Sequence, residues 1–141
     1  MTNLLEDFVG EVADIIATSP GFQDASPAVF AVVNPQAGLF SHRRRLDRTL
    51  RILGAHKRRS GAPVRHPDRL HIHMTEYSGH ARDIAPEGIR CLHGARSPVM
   101  LSAGGDGTHR DLLSGLLSLS AQSGEFPNSP GEFPNSPGEF P

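Results

Sequence analysis

Residues Leu101–Leu116 read LSAGGDGTHRDLLSGL, three glycines and one aspartate standing between a short apolar run and a leucine-rich segment. Upstream, Pro98-Val-Met-Leu-Ser102 is apolar enough for a buried strand, and downstream Leu112, Leu113, Leu116 and Leu117 recur at helical spacing. A strand that passes to a helix through bare backbone sits where strand C-termini and helix N-termini meet, the usual ligand crevice of open α/β sheets. Glycine at 104, 105 and 107 lets backbone approach a ligand with no Cβ in the way, permits positive φ, and aims N–H groups at anionic oxygens beside the helix dipole. The stretch therefore predicts a phosphate cradle. Asp106 adds a condition: a carboxylate repels phosphate unless a cation lies between them or the group works on a hydroxyl. Either option points to phosphoryl transfer.

Working outward, Ala28-Val-Phe-Ala-Val-Val33 is a β-branched apolar run stopped by Asn34-Pro35-Gln36-Ala37-Gly38, the profile of a buried strand entering a tight turn. Ser41 is placed to cap a helix with Leu46, Leu50 and Leu53 on one stripe and arginines outward, ending at Gly54. Residues 56–68 are polar, contain Pro63 and Pro67, and read as a connection. Leu70, Ile72 and Met74 alternate with His71 and His73, which predicts a strand with one apolar face; the imidazole pair lacks a third ligand for a metal. A helix is expected from about Gly79, with Ala81, Ile84 and Ala85 inward and Pro86 kinking or restarting it before Ile89 and Leu92. The last helix should fade near Leu119.

At the N-terminus, Leu4, Leu5, Phe8, Val9, Val12, Ile15 and Ile16 lie at helical spacing behind Asn3 as cap, and Ser19-Pro20-Gly21 ends that helix. The order is one helix, then β-α-β-α-β-α. It predicts an α/β, three-layer, Rossmann-like partial domain with a short parallel sheet and right-handed crossovers. Residues 1–27 form the leading helix and connector, 28–120 the layered domain. Residues 121–141 are a tail carrying GEFPNSP repeated without variation, whose prolines and lack of aliphatic side chains predict disorder and suggest repeat expansion or a frameshift.

Bulk properties narrow the class. A chain of 141 residues with 37% hydrophobic content and a net charge of -1 is neither disordered throughout nor a membrane protein, and no apolar run nears the ~20 residues that cross a bilayer. The acidic N-terminus lacks the features of a secretory signal, which gives a cytoplasmic location as the default. Cys91 stands alone, excluding an internal disulfide and a cysteine zinc site. Charge is unevenly spread: Arg43, Arg44, Arg45, Arg48, Arg51, Lys57, Arg58, Arg59, Arg65 and Arg69 are opposed between them only by Asp47 and Asp68. Water, anionic lipid, nucleic acid and nucleotide phosphates all suit such a segment. There is no Walker A loop, no G-x-G-x-x-G and no protein-kinase signature set.

Three segments in order, Val32-Val33-Asn34-Pro35-Gln36-Ala37-Gly38, Thr75-Glu76-Tyr77-Ser78-Gly79-His80-Ala81 and Gly104-Gly105-Asp106-Gly107-Thr108, resemble the catalytic N-terminal region of the diacylglycerol kinase and sphingosine kinase-like lipid kinases. The resemblance implies ATP with Mg²⁺ as cofactors. Asn34 and Gly38 would shape the first phosphate-facing turn, Thr75 would touch the nucleotide, and Gly104, Gly105, Asp106, Gly107 and Thr108 would wrap the phosphates. Asp106 would be the catalytic and metal-organising residue, and Arg110 could grip phosphate. For the three loops to share one nucleotide the strands should lie in the order 2-1-3.

Where the family has Asn and Glu after its glycine loop, this chain has Arg110 and Asp111. The family's second nucleotide motif, P-x-G-T-x-N-D, and its β-rich lipid-binding domain are not found in the sequence, so the expectation is an ATP-binding half, truncated and inactive alone. A lipid alcohol such as diacylglycerol or a sphingoid base is the implied acceptor, in phospholipid metabolism, with peripheral contact at the inner face of an anionic membrane and no nucleic-acid partner. The alternatives are an NAD kinase-like enzyme, which shares G-G-D-G-T, and a non-catalytic remnant that binds anionic lipid or nucleic acid through Arg43–Arg59.

Overall fold

The computed structural model describes residues 3–61 and 63–123. The repeat of the tail lies outside the described residues. The elements are α1 (Leu4–Thr18), a 3-10 turn (Pro20–Phe22), β1 (Ala28–Val33), α2 (Arg43–Arg59), β2 (Arg69–Met74), α3 (His80–Leu92), β3 (Pro98–Ala103) and α4 (Asp106–Ser123).

The β-branched run of β1 supplies the middle of the sheet, where both faces are covered, and all six of its residues are buried. Both neighbours run parallel to it, in the order β2-β1-β3. Val33 is level with Met74 on one side and Ala103 on the other. All three strands thus end together, and the next residues, Asn34, Thr75 and Gly104, emerge at one edge. The ladder reaches one step further there: Asn34 N–H donates to Ala103 O and Thr75 N–H to Val33 O, each at 2.8 Å.

Alternation along β1 builds two cores. Ala28, Phe30 and Val32 face α3 and α4, meeting Ala81, Ile84, Ala85, Leu92 and Leu112. Ala31 and Val33 face α1, whose Val9 joins them, with Leu70, Ile72 and Met74 at their side. Burying a side chain such as Phe30 or Val32 stabilises the fold by roughly 1.5–3 kcal/mol. α1 begins as expected, with Asn3 Oδ1 accepting from Leu5 N–H at 3.1 Å and Glu6 and Asp7 in the first turn, where carboxylates suit the helix dipole.

Four expectations need correction. α2 does not stop at Gly54: it runs to Arg59, because Lys57 in its last turn reaches α1, with Nζ 2.9 Å from both Glu11 Oε2 and Asp14 Oδ2. Those contacts, added to Leu46 buried on the same helix, outweigh the ~1 kcal/mol that a helical glycine costs. Ser41 is not the cap; His42 holds that position, and Ser41 Oγ donates to Gly38 O at 3.1 Å. Pro86 does not restart α3, which is continuous through it; its ring is exposed, and the backbone bond it removes is the one to Arg82 O. α4 continues past Leu119 to Ser123.

The reading of β2 as apolar on one face alone also changes. His71 and His73 lie over Phe30, with ring centroids 6.3 and 4.6 Å away, so the imidazoles help to cover the core on the α3 and α4 side. No helix among the described residues is long and apolar enough to cross a membrane.

Candidate functional site

At the edge where the strands end lies an open hollow of about 260 Å³. Each strand contributes to its wall. Asn34 and Gln36 come from the turn after β1, Thr75, Glu76, Tyr77, Ser78 and Gly79 from the loop after β2, and Gly107, Thr108 and Asp111 from the start of α4. Segments far apart in sequence are thus brought together by the register of the sheet.

Asn34 is the joint between two of these segments. Its Oδ1 accepts from Gln36 N–H at 3.0 Å and its backbone O from Ala37 N–H at 3.1 Å, which closes the turn locally. Its amide Nδ2 donates to Thr108 Oγ1 at 3.3 Å. Thr108 is buried, so that bond satisfies a hydroxyl that would otherwise sit unpaired.

Gly104 is needed for close approach. A Cβ there would stand 2.7 Å from Thr108 Oγ1, 2.9 Å from Thr108 Cβ and 3.1 Å from Asn34 Cβ. Gly105 and Gly107 differ, for a Cβ on either would meet nothing within 4 Å and would project into open space. The expectation of positive φ in this loop is not met: positive φ occurs at Gly61, Gly79 and Gly94. Only Gly104 and Gly105 separate β3 from α4, and the chain passes from extended to helical geometry without a left-handed step. The first helical bond is His109 N–H to Gly105 O at 3.3 Å. N–H groups of the first turn are left for a ligand or water, as at every helix start.

The opposite wall is locked by side chains. Glu76 N–H donates to His80 Nδ1 at 2.9 Å, which leaves the imidazole proton on Nε2. Tyr77 stacks on His80, with centroids 4.2 Å apart and planes 14° apart, and its hydroxyl donates to Asp83 Oδ2 at 2.7 Å. That hydrogen bond to Asp83, with smaller contributions from desolvation and from the charges of Asp83 and Glu76, lifts the phenol above its ordinary 10.0. Gly79 takes φ 87 to start α3 behind this wall.

Of the residues expected at the site, Asn34, Thr75, Gly107 and Thr108 border the hollow; Gly104 is exposed and does not, although a Cβ on it would crowd Thr108 and Asn34. Gly38, Gly105, Asp106 and Arg110 are exposed and do not border it. Comparison with protein-family models, with curated proteins and with solved structures finds no match to this chain.

Sequence reasoning missed the two acids that do border the hollow, Glu76 and Asp111. Asp111 had a signal: it lies three residues after Thr108 and four after Gly107, on the same helical face, whereas Arg110 falls four after Asp106 on another. Arg82 stands 3.7 Å from Asp111 and is the nearest cation recorded to it.

This donor set fits a magnesium-bound polyphosphate. Open space over Gly105 and Gly107, hydroxyls at Thr75 and Ser78 and the first turn of α4 suit anionic oxygens. No lysine or arginine lines the hollow and two carboxylates do, so a polyphosphate needs a cation with it. Among the described residues no group of three or more His, Cys, Asp or Glu could hold a metal unaided.

Proposed function

We propose that this chain carries the ATP-binding portion of a lipid kinase of the diacylglycerol kinase and sphingosine kinase-like type, moving the γ-phosphate of ATP to a lipid hydroxyl. One observation carries the reading: the three motif-bearing segments, separated by dozens of residues, border a single hollow at the ends of parallel strands. Such a convergence is what phosphoryl transfer needs, because its catalysis is largely positioning plus neutralisation of oxygen charge.

In this proposal the first turn of α4, opened by Gly105 and Gly107, takes the phosphates, and Thr75 and Thr108 flank them. Mg²⁺ supplies the positive charge that the wall lacks. Asp111 is the carboxylate bordering the hollow and becomes the preferred metal-facing residue, with Asp106 at the head of the same helix. Asn34 acts as the clamp that keeps the turn and Thr108 in place.

Isothermal titration of the chain with Mg-ATP tests the nucleotide site; as an ATP-binding half inactive alone, the chain should transfer phosphate neither to diacylglycerol nor to NAD. Binding of Mg-ATP that Gly107→Ala weakens at least about ten-fold while the fold persists is the expected result. No binding by the folded chain, or transfer to NAD alone, would overturn the proposal.

A further inference from the structure

The outward face of α2 carries Arg44, Arg48, Arg51 and Arg59 with Ile52 and Ala55 between them, at i, i+4, i+7, i+8, i+11 and i+15, one stripe roughly 22 Å long at 1.5 Å per residue. The opposite face is the one that packs, through Leu46 and Lys57 toward α1. Acid is scarce on the stripe: Asp47 pairs with Arg51 at 2.8 Å, and no ion pair to Arg44, Arg48 or Arg59 is recorded among the described residues. Arg48, Arg51, Ile52, Ala55, His56 and Arg59 line a shallow groove whose floor is aliphatic. Ile52 is 59% exposed there. The first turn of α2, moreover, holds Arg43, Arg44 and Arg45 and no acid, a placement that the positive end of the helix dipole opposes.

We infer that this stripe is a docking surface for an anionic membrane, with the guanidinium groups at the headgroup phosphates and Ile52 inserted among the upper acyl carbons. Charge complementarity selects an anionic partner, and the aliphatic floor selects among anionic partners. Arginine stems lying over apolar surface with their heads reaching outward are the arrangement of an interfacial helix. A groove for single-stranded nucleic acid offers aromatics for base stacking, and no Phe, Tyr or Trp lies on α2; against a duplex, the exposed Ile52 and the aliphatic floor have no apolar counterpart among the backbone phosphates. The inference stands apart from the nucleotide reading, because the face and the hollow share no residue.

The test is co-sedimentation of the full chain, without ATP, with vesicles of phosphatidylcholine alone or mixed equally with phosphatidylglycerol, at low and high salt. Binding to the mixed vesicles alone, weakened by salt, is expected. The double variant Arg48→Gln, Arg59→Gln should lower partitioning about twenty-five-fold, at about five-fold for each charge near such a surface. Ile52→Ser should lower it about ten-fold through the lost apolar insertion. These positions are exposed, and circular dichroism of each variant confirms that the helix persists. Gly107→Ala should leave vesicle binding unchanged, which separates failure of this inference from failure of the nucleotide site. Absence of binding to anionic vesicles, full binding by Ile52→Ser, or tighter binding to a duplex or single-stranded oligonucleotide than to the vesicles would overturn it.

Discussion

Substituting alanine at each loop glycine in turn separates backbone that serves the fold from backbone that serves a ligand. At Gly104 the new Cβ would lie 2.7 Å from Thr108 Oγ1 and 2.9 Å from Thr108 Cβ, distances that packed atoms do not adopt. Relief requires Thr108 to leave its bond to Asn34, and overpacking of this kind costs about 1–3 kcal/mol. At about 4 °C per kcal/mol for a domain of this size, Gly104→Ala should lower Tm by about 4–12 °C. At Gly107, inside the first turn of α4, the Cβ meets nothing within 4 Å. Alanine there should hold or raise stability by up to about 1 kcal/mol, the usual difference in helix propensity. The same methyl group would stand where phosphate must approach the backbone, and Mg-ATP affinity should fall at least about ten-fold, equivalent to about 1.4 kcal/mol. Calorimetry of unfolding and of Mg-ATP binding, run on wild type, Gly104→Ala, Gly105→Ala and Gly107→Ala, measures both effects. Gly105→Ala should also lose Mg-ATP affinity but without the gain in stability, because Gly105 precedes α4 at the N-cap, where alanine is less favourable than glycine. If Gly107→Ala destabilised the fold, or bound Mg-ATP as wild type does, the cradle would be refuted.

Other outcomes can be stated more briefly. Chelating Mg²⁺ should weaken ATP binding at least about a hundred-fold, because Glu76 and Asp111 then face the phosphates directly; Asp111→Asn should weaken Mg-ATP yet partly restore binding of ATP alone, as titration with and without EDTA would show. Gly115→Ala should cost about 1–2 kcal/mol net in urea unfolding, since its Cβ would meet Arg82 O and Ala85 Cβ at 2.7 Å each, a clash larger than the gain in helix propensity. Lys57→Met should cost about 1–3 kcal/mol by leaving Glu11 and Asp14 without their shared cation. Burial pulls the Lys57 ammonium down, but its hydrogen bonds to Glu11 and Asp14 and their charges prevail and hold it above 10.5. On this group's account the stabilisation is complete below the unfolded value and lost as pH rises through the folded one, so the urea midpoint of wild type should fall toward that of Lys57→Met as pH rises through the alkaline range.

Much of the fold was legible in the sequence because single segments specify it. Ala28–Val33 could only be an interior strand, and the alternation of strands with helical periods then fixed parallel neighbours. Element ends were less legible where tertiary contacts prevail over local preference. Gly54 looked like a stop because nothing local reveals that Lys57 has two carboxylates waiting on α1. Pro86 looked like a place where the helix restarts, although an exposed ring on a helix whose other side packs on Phe30 and Val32 is tolerated. At the site, the residues next to strand ends were legible from the strands themselves. Asp111 was hidden because attention to the loop stopped where the helix began, and Glu76 because its position depends on the turn that Tyr77 and His80 lock.

The most direct measurement is a ¹H–¹⁵N correlation titration of the chain with Mg-ATP. The amides of Gly105, Gly107 and Thr108, with those of Gln36 and Thr75, should shift together on one saturating curve, while those of Arg48, Ile52 and Arg59 stay fixed. Saturable shifts confined to α2, or no shift at the ends of β1, β2 and β3, would contradict a shared nucleotide site.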